Sequence, residues 1–394
     1  MKKLLLASVA ALAAGPALAQ EGIKMGVILG FTGPIESLTP AMATGAEMAM
    51  EEVTESGGLL DGATVVPVRA DSTCVDSAAA TAAAERLITA EGIRGIMGAD
   101  CSGVTGAVLA NVAVPNGMVM ISPSATSPAL TDAEDNGLFF RTAPSDARQG
   151  EVLANVLMDK DISEVAVTYT NNDYGKGFAD AFQAAFEGMG GTITLSASHE
   201  DGKADYTAEV GALASAGGDA LVVLGYVDQG GAGVIQAALD TGAFDMFAFG
   251  DGMIGDALTD NFGSDIEGSV GTAPGSDNEG GAMFAEMASA AGIDGTSVYA
   301  GESYDAAALM LLAMQAAGST VPTDYAGEIM DIANAPGEPI LPGQLGMALE
   351  MIAAGEDVNY EGATGVELVE PGEAAGSYAE FVVEDGALSI VGYR

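Results

Sequence analysis

Positive charge is scarce in this chain. Twelve Lys and Arg stand against 56 Asp and Glu, for a net charge of −44. A field of that sign repels nucleic acid and anionic lipid, which excludes both as partners. It does not set the charge of a ligand. Its plain reading is a solvated acidic surface whose self-repulsion a saline exterior would screen. Histidine is nearly absent as well. The single His199 lies just past a strand-like run, has no Cys or His neighbour, and is expected to be an ordinary surface residue. With one histidine and no G-x-S-x-G elbow, no Ser-His-Asp site can be drawn. H-E-x-x-H is missing too, so neither a catalytic centre nor a metal is expected. Beyond the first twenty residues no run is long and apolar enough to span a bilayer.

The amino terminus carries the clearest signal. Lys2 and Lys3 precede an apolar run over residues 4–14, and Ala17-Leu18-Ala19 supplies a small-x-small cleavage pattern. Gly15 and Pro16 break the run, so residues 1–19 read as a secretory signal peptide and not as an anchor. Cleavage removes both lysines and takes the net charge from −44 to −46. Export puts the two cysteines, Cys74 and Cys101, in an oxidising compartment, where an even count reads as a disulfide. A loop of that length contributes roughly 3–4 kcal/mol in the chain-entropy picture.

The full chain is 49% hydrophobic, enough to build a core and to exclude global disorder. Its length exceeds the roughly 100–200 residues of one domain, so two lobes are expected. Short β-like runs alternate with helical ones: strands at 23–29, 64–69, 94–97 and 118–121, helices at 40–56, 77–90 and 105–113. After a break at 141–146 the alternation restarts. Strands fall at 165–169, 192–198, 220–224 and 246–249, and helices at 178–186, 204–214 and 233–239. Two βαβ series predict two doubly wound parallel-sheet lobes joined by a hinge, with a ligand cleft between them. The tail reads as helices at 303–316, 325–332 and 345–353, then a hairpin with Asp385-Gly386 at its tip. The expected division is 20–143 plus 275–352 for the first lobe and 144–274 plus 353–394 for the second.

Gly250-Asp251-Gly252-Met253-Ile254-Gly255 matches G-x-G-x-x-G after a strand and before a helix. In a chain with 55 glycines the match is weak, and an acid within the turn opposes a pyrophosphate. No cofactor is expected. The polar loops at strand ends are more informative, because ligands of open α/β sheets bind there. Gly98 to Gly103 and Ser122 to Pro128 are small and hydroxyl-rich, and suit a carboxylate at helix starts; either loop alone also reads as helix caps and a proline turn. On the second series Asp251, flanked by Tyr226 and Tyr174, could receive an ammonium group. Together these describe a clamp for a zwitterion.

The residues of several segments resemble the branched-chain amino-acid-binding proteins, type I periplasmic binding proteins that serve ABC importers. The likeness runs over VILGFTGP (27–34), the Cys74/Cys101 pair, MISPSATSPAL (120–130), Phe140-Arg141-Thr142, Asn172 to Gly175 and Ser303 to Ala306. The resemblance implies that Ser102, Ser124 and Thr126 hold the ligand's α-carboxylate and that Asp251 holds its α-ammonium. It implies that Tyr174, Tyr226 and Tyr299 line the second-lobe side of the cleft. Asp251 stands where those binders carry a glutamate, and Leu38 where they carry an aromatic. A periplasmic protein delivering an amino acid to membrane permease subunits follows; a monomer is expected from the like charge. The alternatives left open are an amide, urea or aromatic-acid ligand, a sensor role, or a secreted hydrolase.

Overall fold

The computed structural model describes residues 22–394. The expected signal peptide, 1–19, lies outside the described residues. No described helix is long and apolar enough to cross a membrane.

Ten strands form two parallel series. β1 (Ile23–Leu29), β2 (Val65–Asp71), β3 (Ile96–Gly98), β4 (Met120–Ser122) and β5 (Phe139–Arg141) make the first. β6 (Glu164–Thr170), β7 (Thr192–His199), β8 (Ala220–Leu224), β9 (Phe247–Phe249) and β10 (Val270–Pro274) make the second. After them come β11 (Glu338–Ile340), β12 (Val358–Tyr360), β13 (Leu368–Val369), β14 (Glu373–Ala374), β15 (Tyr378–Glu384) and β16 (Ala387–Tyr393). One sheet runs β13-β14-β5-β4-β3-β1-β2, the other β16-β15-β10-β9-β8-β6-β7, and β11 pairs separately with β12. The protein therefore has two α/β lobes with parallel-sheet cores. The central strands are apolar almost throughout, as in β8, Ala-Leu-Val-Val-Leu, where all five residues are buried. Helices covering both faces of a parallel sheet demand that pattern.

Helix Thr39–Ser56 ends on Gly57 in the left-handed region and packs against Ala300–Ala317. The latter is buried from Ala300 through Met314 on every side, which its run of Ala, Leu and Met allows. The tail hairpin β15–β16 pairs antiparallel on β10 and turns at Asp385 and Gly386, both with positive φ. That is the geometry an Asp-Gly tip favours, since a two-residue turn of this hand must take positive φ twice. Cys74 and Cys101 are bonded, with Cα atoms 5.1 Å apart.

Three expectations are corrected here. Strands β13 and β14 join the first sheet, with Glu373 beside Arg141, so residues 368–374 do not belong to the second lobe as the division at 353 would have it. The helix Asp146–Asp159 and strand β10 fall where no element was expected. Buried Asp146 and Gln149 interrupt the apolar face of that helix, and Gly271 and Pro274 dilute the strand.

His199 is not a surface residue: it closes β7, is 1% exposed, and its Nδ1 shares a 2.8 Å hydrogen bond with the Thr168 hydroxyl. Burial lowers its pKa to about 4. The unfolded chain takes up that proton first as pH falls below about 6.5, so stability is lost between 6.5 and 4 and the loss ends below. Urea unfolding should show wild type losing about 2–3 kcal/mol more than His199→Gln between pH 7 and pH 4.5. Equal losses would remove the buried neutral imidazole from the account.

Candidate functional site

The two sheets meet at the carboxyl ends of their parallel strands. Ser102 opens the helix that follows β3, and Ser124 and Thr126 lie in the loop after β4. Asp251 follows β9, Tyr226 follows β8, and Tyr174 sits in the first turn of the helix after β6. These positions, Thr126 excepted, converge on one small cleft lined by Asp100, Ser102, Ser124, Tyr174, Tyr226, Asp251 and Tyr299, with Ile35 and Leu38 as its aliphatic wall.

On the first lobe the loop 122–127 is held from within. The Ser122 hydroxyl donates to the Ala99 carbonyl at 2.5 Å and accepts the Ala125 N–H at 2.9 Å. Asp100 accepts the Gly30 N–H on one oxygen and the Ser72 hydroxyl on the other. Ser102 Oγ accepts the Ser127 N–H at 3.1 Å, leaving its hydrogen free to donate. Ser124 differs, because its hydroxyl already donates to the Asp100 carbonyl at 3.1 Å. Thr126 Oγ1 is fully buried and has no partner.

Beneath the loop lies Arg141, 1% exposed. Its Nη1 donates to the carbonyls of Ala125 and Ser127 at 3.1 and 2.9 Å, its Nη2 to Thr131, and the guanidinium pairs with Glu373. Sequence reasoning saw this arginine only as part of a family motif, without a role.

Across the cleft Asp251 is 2% exposed. Its Oδ1 accepts the Tyr174 hydroxyl at 2.9 Å, and its Oδ2 accepts the Tyr299 hydroxyl. Burial raises its pKa, and the two tyrosine hydroxyls pull it back. The Tyr174 and Tyr226 rings stack with centroids 5.2 Å apart. Tyr299, which the resemblance put on the second-lobe side of the cleft, caps Ala300–Ala317, the helix packed on Thr39–Ser56, and so reaches Asp251 from the segment 275–352 assigned to the first lobe. Gly250 and Gly252 are glycines for packing: a Cβ would stand 2.6 Å from Phe178 Cε1 at the one and 2.7 Å from the Gly225 carbonyl at the other.

A further contact crosses the cleft mouth. Asp228 Oδ2 accepts the Ser37 N–H at 2.8 Å and the Asp228 N–H donates to the Pro34 carbonyl at 3.1 Å. No sequence signal marks Asp228.

The fold finds its counterpart among known proteins. Residues 22–332 match the periplasmic binding protein family. The chain belongs to that family. This periplasmic binding protein is 36% identical over 214 residues to Leu/Ile/Val-binding protein homolog 3 of Brucella melitensis, an alignment covering 54% of this chain and 57% of that one. It is 30% identical over 335 residues to homolog 1 of the same organism, covering 83% and 87%. The crystal structure of a leucine-binding protein, LivK, from Thermotoga maritima superposes with a TM-score of 0.79 at 24% identity, over 94% of this chain and 98% of that one. Proteins of this family bind transported substrates and are not enzymes by family.

Arg141→Ala should destabilise this binding protein by about 3 kcal/mol, because it strands the partly buried Glu373 and two loop carbonyls. Urea denaturation reads that loss. Arg141→Lys should recover only part of it, since one ammonium cannot reach the fork's separate acceptors.

Proposed function

We propose that this protein is the substrate-binding component of an ABC importer, taking an aliphatic amino acid from the periplasm and delivering it to membrane permease subunits. In this reading residues 1–19 are the export signal, removed before the protein works. The relatives are named for leucine, isoleucine and valine, which supports a branched-chain ligand. One observation carries the reading: a buried carboxylate, Asp251, stands opposite a hydroxyl-rich loop across a small cleft with an aliphatic wall.

The chemistry follows from what each half-site still lacks. Asp251 accepts one hydroxyl on each oxygen, so each keeps a lone pair for an ammonium N–H. Ser102 has a hydrogen left for a carboxylate, whereas Thr126 is buried behind the cleft wall beside Asp146. Ser124 contributes through the shape of its loop, its own hydrogen being engaged. Ile35 and Leu38 meet the side chain. A ligand held by both half-sites stabilises the closed arrangement of the lobes, so binding and closure are one equilibrium. A plain carboxylate or neutral amide would leave Asp251 facing no cation.

Calorimetric titration of the mature, ligand-stripped protein against leucine, isoleucine, valine, urea, simple amides and aromatic acids tests this. We expect micromolar or tighter affinity, about −8 kcal/mol or better, for a branched-chain amino acid. Asp251→Ala should cost about 3 kcal/mol of that, because the ammonium is left buried and unpaired. Unchanged affinity in the variant, or binding confined to uncharged amides or plain carboxylates, would sink the zwitterion clamp.

The Asp228 contact adds a second expectation. It joins the lobes without touching the ligand, so its worth appears only in the closed form. Asp228→Ala should weaken leucine binding by about 1 kcal/mol, roughly fivefold in Kd, with the unfolding midpoint of the ligand-free protein unchanged. An unaltered Kd would show that the contact does not help hold the lobes closed.

A further inference from the structure

Three segments carry the chain between the lobes. Residues 142–145 lead from β5 to the helix Asp146–Asp159, which packs on β10. Residues 275–278 lead from β10 to the helix Glu279–Ala291, which packs against Thr39–Ser56, and residues 375–377 join β14 to β15. The crossings are tied to one another. The Gly275 N–H donates to the Ser377 carbonyl at 3.1 Å, the Ser377 hydroxyl to the Gly275 carbonyl at 2.8 Å, and the Tyr378 hydroxyl to the Ser145 carbonyl at 3.0 Å. Among the described residues no other backbone link joins the two large sheets, so one lobe turns against the other about this bundle.

One carboxyl group sits against all three crossings. Glu302 lies in the first turn of the helix Ala300–Ala317, on the first-lobe side, and its carbonyl accepts the Thr142 hydroxyl at 2.8 Å. Its side chain, 5% exposed, lines a small space walled by Thr142, Pro144, Pro274, Gly275, Gly376 and Ser377. It also borders a groove whose far wall is Phe381, Ile390 and Tyr393 of the second-lobe hairpin. The donor at its carboxylate is its own N–H, and no Lys or Arg lines either space. Asp305, one turn on, adds a negative charge beside it. Asp277 on the second crossing and the hydroxyls of Tyr299 and Tyr393 are the other titratable groups around the two spaces. Arg141, next to Thr142, gives its hydrogens to Ala125, Ser127, Thr131 and Glu373. Burial, with Asp305 adding to it, therefore raises the Glu302 pKa to about 8.

This burial belongs to one arrangement of the lobes. Glu302 moves with the first lobe, whereas Phe381, Ile390 and Tyr393 move with the second, so parting the lobes admits water to the carboxyl. We propose that Glu302 is a proton-dependent latch on the hinge: its carboxyl is neutral while the lobes are closed and ionises when they part, so that capture of the ligand takes up a proton and weakens as pH rises. The inference rests on the reading of this protein as one that closes around an amino acid. Asp305 does not share the role, because Tyr360, Ala363 and Thr364, which donate to it, precede the third crossing and move with the same lobe. The closed form holds more protons than the open one between the ordinary glutamate range and pH 8. Kd accordingly rises with pH through that window and levels off above it.

Calorimetric titration with leucine at pH 6.5, in buffers of different ionisation enthalpy, counts the protons taken up on binding. Wild type should take up at least about half a proton more than Glu302→Gln, which keeps the shape of the neutral acid and cannot ionise. Taking the difference removes the ionisation of Asp251 and of the leucine amino group, which both proteins share. Between pH 6 and pH 8 the leucine Kd of wild type should rise at least about tenfold more than that of the variant, half a proton acting over two pH units. Glu302→Ala should behave as Glu302→Gln does, and serves if the first variant folds poorly. Proton counts in wild type and variants that agree within half a proton, or Kd profiles that run parallel across that range, overturn the latch alone. A wild-type protein with no affinity for any amino acid overturns the functional reading, and this inference with it.

Discussion

The cleft stands on one buried cation. Arg141 is the one wholly buried positive side chain among the described residues, and its planar fork reaches four separate groups. Two are carbonyls of the ligand loop, one is the hydroxyl of Thr131, and one is Glu373, 232 positions away in the returning strand. By drawing the carbonyls of Ala125 and Ser127 inward, the guanidinium fixes the face that the loop turns to the cleft. The next residue, Thr142, donates its hydroxyl to the Glu302 carbonyl at the start of the buried helix Ala300–Ala317. Strand β5, the loop and the tail are thereby tied by one side chain, and the helix by its neighbour. A loop held this way is ordered before the ligand arrives, so less freedom is lost on binding.

Buried acids in this protein fall into two kinds. Asp305 receives the Tyr360 and Thr364 hydroxyls and the N–H groups of Ala363 and Thr364; with its oxygens filled it organises the turn at 361–364, and burial raises its pKa to about 6. Asp251 and Asp100 accept one donor on each oxygen, and both line the cleft. Glu302, pushed up to about 8 by burial, lies at the crossing between the lobes. The net charge of −44 is therefore a poor guide to the ligand. Salt screens the surface acids over about 8–10 Å, whereas the buried few are screened far less and set the potential that a ligand meets.

Local pattern made most of the fold legible. β8 was readable to the residue because a strand buried on both faces is an unbroken apolar run, β1 because only Lys24 and Gly26 break its apolar run, and the Asp385-Gly386 tip because a turn of that hand demands positive φ. Contacts between distant segments were not readable. β13 and β14 are two residues each, too short for any period, and join the first sheet through Glu373 and Arg141. The side from which Tyr299 lines the cleft depends on where the following helix docks, which no local pattern carries. His199 looked exposed because it ends a weakly amphipathic strand; the turn at Asp201 and Gly230, folded over it, buries it. Among site residues, hydroxyl-rich strand ends and an acid among tyrosines drew attention by type. Asp228, one of 56 acids, could not be told apart from the others until its partners were known.

The segment Gly250 to Gly255 shows why residue type outweighs spacing. It has the glycines, the preceding strand and the following helix of a phosphate cradle. Yet Gly250 and Gly252 are small because Phe178 and the Gly225 carbonyl leave no room for a Cβ, not because a pyrophosphate must approach. The helix that follows, Asp256–Phe262, has seven residues and an acid in its first turn, which cancels the positive end that an anion would seek. Between the glycines stands Asp251, its backbone pinned by the tight turn and its carboxylate steered by two tyrosines from opposite lobes. The same backbone economy that elsewhere brings N–H groups to a phosphate here brings a negative charge to a cleft. One side chain in the variable position inverts the sign of what the loop can hold.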